Sequence, residues 1–176
     1  LGEPAVAALI KTLEDPRQAL LARQHAARAL ARIGNGKGRV VPALLKRFKD
    51  ENTLIRIAAV EALGNLGAAA ATTAGKLIEV IDDRDEELLV REYAINAAAR
   101  VAPDSPAVTA RLVEAIADSN ARISAAAVAA LVQIRSHQEP ADATSSLLGQ
   151  LQGGDADRRL AAVRRLADLG PYARSA

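Results

Sequence analysis

The amino-acid sequence predicts an all-α fold, an α-solenoid of about five stacked antiparallel helix pairs wound into a right-handed superhelix. Three observations carry this. One string recurs along the chain, as AARALARIG at 26–34, AAVEALGNLG at 58–67, AAVAALVQI at 126–134 and AAVRRLADLG at 161–170. The last position of each copy, Gly34, Gly67, Ala102, Arg135 and Gly170, recurs at spacings of 33, 35, 33 and 35 residues. Within each copy the apolar residues follow a helical period. A closed helical bundle would share that period but would not place five copies in register.

Each copy holds two helical stripes, A and B. Stripe A is apolar at a reference position and three and four residues before it. It reads Leu13, Ile10, Leu9; Phe48, Leu45, Leu44; Ile81, Ile78, Leu77; Ile116, Val113, Leu112; and Leu151, Leu148, Leu147. Pro4, Pro42, Pro106 and Pro140 lie near the A starts, where a missing N–H costs no helical bond. Stripe B follows a recurring Arg and is apolar three, four, seven and ten residues after it, as in Ala59, Val60, Leu63 and Leu66 after Arg56. Gly34, Gly67 and Gly170 follow the B helices, where glycine stops a helix cheaply. The approximate repeats are 3–38, 39–71, 72–105, 106–139 and 140–171. Leu1-Gly2 reads as the end of an earlier B helix and 170–174 as the start of another A helix, so a segment of a longer array is expected.

Composition fits this architecture and excludes much chemistry. About forty of the 176 residues are Ala, which lets helices approach closely and builds a core with only two Tyr, one Phe and no Trp. Without Cys, disulfides, thiolate metal sites and Cys nucleophiles are excluded, and two His cannot make a multi-His site. No apolar run of the ~18–20 residues that span a membrane is apparent. The reading is a soluble chain with no membrane partner, the cytoplasm mildly favoured and the compartment open. Residues 1–50 carry ten Lys/Arg against four Asp/Glu, and residues 51–100 five against nine. The array is therefore basic at its N-terminal end.

The Pro-bearing A helix, then Asp, then a hydrophobic–Arg pair, then Ala-Ala-x-x-x-Leu-x-x-Leu/Ile-Gly, resembles HEAT repeats, in particular the short bacterial type of phycocyanobilin lyase subunits. Copy two matches best, through Pro42, Asp50, Ile55, Arg56, Ala58, Leu63, Leu66 and Gly67. The resemblance implies a structural ladder between neighbouring repeats, built from Asp15, Asp50, Asp83 and Asp118 with Arg23, Arg56, Arg91 and Arg159. The carboxylates are also suited to the unpaired N–H groups at the start of helix B. Copy four has Ser124 for the Arg and copy five has Gly153 for the Asp, which predicts weak ladder joints there.

Candidate sites are few. His25 on helix B and His137, expected in a loop, read as surface residues, and the His-Glu pairs of HEAT-repeat iron hydroxylases are missing. The acidic run 82–87 could draw a divalent cation, but it lacks the spacing of a calcium loop and reads as solvated. The glycine-rich loop 34–39 could cradle a phosphate with Lys37 and Arg39, without matching a Walker loop; a plain turn is the other reading. No metal and no cofactor is expected.

HEAT arrays curve with the B helices lining the concave side. The 100° step places positions five and nine after the Arg opposite the core. They supply Arg28, Arg32, Glu61, Asn65, Asn96, Arg100, Gln133 and Arg164, flanked by Tyr93, as candidate partner-binding residues. Arg and Tyr are favoured in protein interfaces. The leading expectation is a non-catalytic scaffold that binds a protein or peptide in this groove, with end-to-end contacts through its terminal repeats. Two alternatives stay open: phycobilin-lyase-like chromophore handling, with Arg28, Arg32 and Arg100 facing propionates, or polyanion binding by the basic end. Nucleic acid is within that last alternative but the less expected polyanion, because base stacking needs aromatic platforms, of which the chain has nearly none.

Overall fold

The computed structural model describes residues 2–34 and 38–138. Eight α-helices follow in order: α1 Glu3–Glu14, α2 Leu20–Ile33, α3 Val40–Leu45, α4 Thr53–Leu66, α5 Ala74–Asp82, α6 Leu88–Val101, α7 Pro106–Ala115 and α8 Ala121–Gln138. They form four A–B pairs, and no strand occurs among the described residues. The B helices α2, α4, α6 and α8 pack on one another in series and make one continuous layer. The A helices pack against them as a second layer.

Local chemistry explains the element ends. Pro4 and Pro106 occupy the first turns of α1 and α7. Asn52 caps α4 by accepting the N–H of Leu54, and Ser105 caps α7 through the N–H of Val108. Gly34 and Gly67 end α2 and α4 with φ of 89° and 55°, a region that favours glycine. Helix α3 tightens into a 3₁₀ segment, Lys46–Lys49, and a further 3₁₀ segment, Gly67–Thr73, precedes α5. The apolar stretch Thr53–Asp82 is long enough to cross a membrane. It is broken at Gly67 and at Ala70, which leaves the helical region, and Ile55, Val60, Leu63, Leu77 and Ile81 are buried in the core.

The core is aliphatic. Leu13, Leu30, Leu44, Ile55, Leu63, Leu77, Ile81, Ile95, Leu112 and Ile123 are fully buried, interleaved with alanines such as Ala27, Ala59, Ala94, Ala98 and Ala127. Small residues let the B helices close up. A Cβ added at Gly64 of α4 would lie 3.1 Å from both Cα and Cβ of Ala97 on α6. The fourth repeat departs from the expected register. In α7 the buried stripe is Val108, Leu112 and Ala115, whereas Val113 and Ile116 are exposed, as is Val128 on α8. No described element covers that side of the repeat. His137 lies within α8 and not in a loop. The fifth copy, 140–171, falls outside the described residues.

Candidate functional site

Ion pairs set the stacking of the repeats, so the ladder comes first. The Arg23 Nε donates to the Leu13 carbonyl at 3.0 Å, and its guanidinium tip pairs with Asp50 of the next repeat. Arg91 repeats the arrangement, with Nε 3.0 Å from the Ile81 carbonyl and Nη2 3.0 Å from Asp118. Each Arg thus satisfies a carbonyl left open at the end of its own A helix and reaches the following repeat. The Asp does not cap helix B directly. Asp50 accepts the N–H of Asn52 at 3.2 Å, and Asp118 that of Asn120 at 2.9 Å. Asn52 and Asn120 then accept the N–H groups of Leu54 and Arg122 at the helix starts.

The middle joint corrects the expected ladder. Arg56 does not pair with Asp83. It holds Glu86, with Nε and Nη2 at 2.8–3.1 Å from the carboxylate, and its Nη1 donates to the Asp50 carbonyl at 2.8 Å. The cause is loop length. Six residues separate Asp50 from Arg56 and Asp118 from Ser124, but eight separate Asp83 from Arg91. The longer loop leaves Asp83 exposed, closing a turn onto the Asp85 N–H at 3.0 Å, and brings Glu86 to the arginine. Asp15 opens the first repeat and likewise closes its own turn, on the Arg17 N–H at 2.9 Å. Ser124 Oγ still donates to the Ile116 carbonyl at 2.7 Å, keeping the half of the arginine's work inside its own repeat. Gly153 and Arg159 lie outside the described residues.

Three carboxyls sit below their ordinary value. Burial alone would raise Asp50, but the bond from Arg23, the Asn52 N–H and the charges of Arg23 and Arg47 outweigh it. For Asp118 the Asn120 N–H leads, opposed by burial and joined by Arg91 and Arg84. For Asp15 the Arg17 N–H leads, with Gln18.

Two acids of the run and its arginine are taken up by ion pairs. Asp82 meets Arg111, Arg84 meets Asp118 at 2.8 Å, and Glu86 meets Arg56. No group of ligands suited to a metal ion occurs among the described residues. At the glycine-rich loop, Arg39 pairs with Glu3 at 3.2 Å, Gly34 and Gly38 have positive φ, and Lys37 falls outside the described residues. Lys46 and Arg47, also at the basic end, pair with Glu14 and Asp50.

The B-helix face holds the remaining candidates. Three open depressions run along it. The first, of about 560 Å³, is lined by His25, Arg28, Arg32, Glu61 and Asn65. The second, about 310 Å³, shares Glu61 and adds Tyr93, Asn96 and Arg100. The third, about 260 Å³, shares Arg100 and adds Gln133. The eight described candidates therefore lie along one continuous groove, and Arg164 lies outside the described residues. Equivalent positions meet across the repeats: Arg28 faces Glu61 at 3.6 Å, and Arg100 donates to Asn65 at 3.2 Å. Arg122 faces Glu92 at 2.7 Å beside them. His25 is exposed on the same face.

One row on this face escaped the sequence reading. Leu21, Leu54 and Leu89 are 66%, 46% and 41% exposed. Each stands two residues before its repeat's Arg, so they recur at spacings of 33 and 35. That offset is itself the signal, since the 100° step puts it on the side of positions five and nine.

The fold is thus an α-solenoid of helix-pair repeats with a polar groove on its B helices. Residues 6–89 match the family model described as HEAT repeats. Over those residues, just under half of its length, the chain is similar to HEAT repeats. Among solved structures it is similar to a chain in the complex of CpcE and CpcF of phycocyanin lyase from Nostoc sp. PCC7120, with a TM-score of 0.58 and 27% identity. That match covers 95% of this chain and 65% of the other, so this chain spans about two thirds of that one's length. An engineered protein is similar in fold, with a TM-score of 0.56 and 20% identity over 93% of this chain and 78% of that one. No curated protein matches the chain.

Proposed function

We propose that this chain is a non-catalytic scaffold that binds a protein partner along the groove of its B helices. One observation carries the reading: Arg28, Arg32, Glu61, Asn65, Tyr93, Asn96, Arg100 and Gln133 line adjoining depressions that run across all four described repeats. The set mixes donors, acceptors, charge and an aromatic ring, which suits an extended interface better than a reaction centre. No paired nucleophile and base accompanies it among the described residues. The test is affinity capture from the source cell with the wild-type chain and two double variants, R28E/R32E and Y93A/R100A. Loss of the captured partner in either variant supports the groove. Equal capture by all three places binding elsewhere, and no partner at all removes the reading.

A second reading has its own support. The similar chain from Nostoc belongs to a phycocyanin lyase complex, which favours a lyase-type subunit that works with a second chain. Arg28, Arg32 and Arg100 would then meet the propionates of a bilin. A visible absorbance change on mixing the chain with a bilin, lost in R28E/R32E, favours this reading over the first.

A further inference from the structure

The groove has a polar side and an apolar side. Along each B helix, the outward residues fall two before the repeat's Arg and two, five and nine after it. In α2 they are Leu21, His25, Arg28 and Arg32; in α4, Leu54, Ala58, Glu61 and Asn65; in α6, Leu89, Tyr93, Asn96 and Arg100. Ala58 is buried beneath the row, while the three leucines are exposed. A leucine row thus borders one edge of the groove and an Arg-bearing row the other. Seven to eleven residues of helix separate them, about 10–17 Å at 1.5 Å per residue.

Charge on the polar edge is not balanced. Arg28 is offset by Glu61, whereas Arg122, two before Ser124 and so at the leucine position of the fourth repeat, is held by Glu92. Arg100 donates to the neutral Asn65, and Arg32 has no carboxylate partner among the described residues. The surplus is therefore positive at Arg32 and Arg100, two repeats apart. Beyond the second and third leucines the loops are acidic, with Glu51 and Glu87 exposed.

The spacing selects the shape of the occupant. Packed helices stand about 8–10 Å apart, so the three leucines recur at that interval along the array. Seven residues of an α-helix rise about 10.5 Å and return to the same face. A helix with apolar side chains in a heptad pattern therefore meets Leu21, Leu54 and Leu89 in turn. Its diameter, about 10–12 Å, also bridges the two rows at once. An extended chain is too narrow to touch both rows along its length.

Resting on the scaffold reading above, we propose that the groove takes an amphipathic α-helix of a partner protein. Its apolar stripe lies on Leu21, Leu54, Leu89 and Tyr93, and its acidic flank faces Arg32 and Arg100. The Glu51 and Glu87 carboxylates confine the acidity to that one flank. Burial of three leucines and a tyrosine supplies attraction, and the two arginines without a carboxylate partner set the orientation.

The test uses a fluorescently labelled 21-residue probe peptide with Leu in a heptad stripe, Glu on one flank and Lys on the other. Binding to the full chain is read by fluorescence anisotropy. Control peptides have the same composition in scrambled order, Lys for every Glu, or two central prolines that prevent a helix. The expected result is that the first probe binds at least tenfold more tightly than each control. The triple variant L21S/L54S/L89S and the double variant R32E/R100E each weaken it at least tenfold. Both variants alter exposed residues, so unchanged helical circular dichroism and Tm verify that they fold. Equal binding of the proline peptide overturns the helix in favour of an extended segment. Binding of anionic phospholipid vesicles through the same leucines, with no peptide binding, assigns the row to a membrane surface and overturns the proposal. If no probe binds while R28E/R32E still abolishes partner capture, the helix is wrong and the scaffold reading stands.

Discussion

Arg23 of the first repeat and Asp50 of the second form an ion pair whose two side chains are only 7% and 8% exposed. The guanidinium also satisfies the Leu13 carbonyl, and the carboxylate also accepts the Asn52 N–H. Removing either partner takes away the other's main counter-charge, leaving Asp50 only the more distant Arg47 at 3.5 Å. Arg23→Ala is expected to cost about 3–5 kcal/mol, the usual loss when a buried pair is broken on one side. The pair itself is worth less. A double variant, R23M/D50L, should recover part of the loss because it leaves no unpaired charge. Urea denaturation of both variants checks this, and a double variant less stable than R23A would count against it.

At the second joint the corresponding acid is Glu86 and not Asp83. Glu86 and Arg56 are 11% and 15% exposed on their side chains, whereas Asp83 is exposed and serves only its own turn. Asp83→Ala is therefore expected to lose about 1 kcal/mol or less, the scale of a turn or capping bond. Glu86→Ala should lose clearly more, about 2–4 kcal/mol, by leaving the Arg56 charge uncompensated. Thermal unfolding that ranks the two the other way would restore the ladder expected from the motif.

These two joints mark what the sequence makes legible. Helix pairs are readable because a 3.6-residue stripe is fixed by the helix itself, whatever surrounds it. That is why Leu30, Leu63 and Ile95 fall in the core at their repeat positions. The linking of neighbouring repeats by Arg23 and Arg91 follows the motif as well, whereas its forward direction is seen only in the structure. Glu86 does not, because two extra loop residues change which carboxylate reaches the arginine, and loop conformation has no period to read. The register of α7 fails for a related reason. Val113 and Ile116 satisfy the helical pattern, but the pattern does not say which side of the last described pair has a neighbour. The groove residues follow from the 100° step alone, yet the leucine row on the same face stays hidden while apolar residues are assigned to the core.

Acid should unfold the array through its ladder. The Asp50 and Asp118 carboxyls are held below the ordinary aspartate value by their arginine and N–H partners. The unfolded chain therefore binds more protons than the folded one as pH falls past that value. The stabilisation is complete above about pH 4, the unfolded aspartate pKa, and is lost progressively below it. Unfolding free energy measured from pH 7 to pH 2 is expected to be flat to about pH 5 on this account and to fall steeply below pH 4. D50N and D118N should start lower at pH 7 and fall less between pH 4 and 2. A slope unchanged in both variants would assign acid sensitivity to other carboxylates.

At Gly64 α4 lies against α6 with little room for a side chain. Glycine inside an exposed helix is a liability, and Gly→Ala there ordinarily gains about 1 kcal/mol. Here the added Cβ would stand 3.1 Å from the Cα and Cβ of Ala97, a backbone atom held within α6 and a methyl with no free rotamer. Relief requires α6 to back away from α4, and both helices carry fully buried neighbours, Leu63 and Ile95 among them. Gly64→Ala is therefore expected to forfeit the propensity gain and end neutral or destabilised. Gly64→Val adds further volume at the same spot and should cost about 1–3 kcal/mol, the range for overpacking a tight contact. The compensating change cannot come from Ala97→Gly alone, since the Cα would remain in contact. G64A/A97G should thus recover only part of the loss. Urea denaturation of the three variants checks the series, and a stability gain of 1 kcal/mol in G64A would mean that the two helices separate freely.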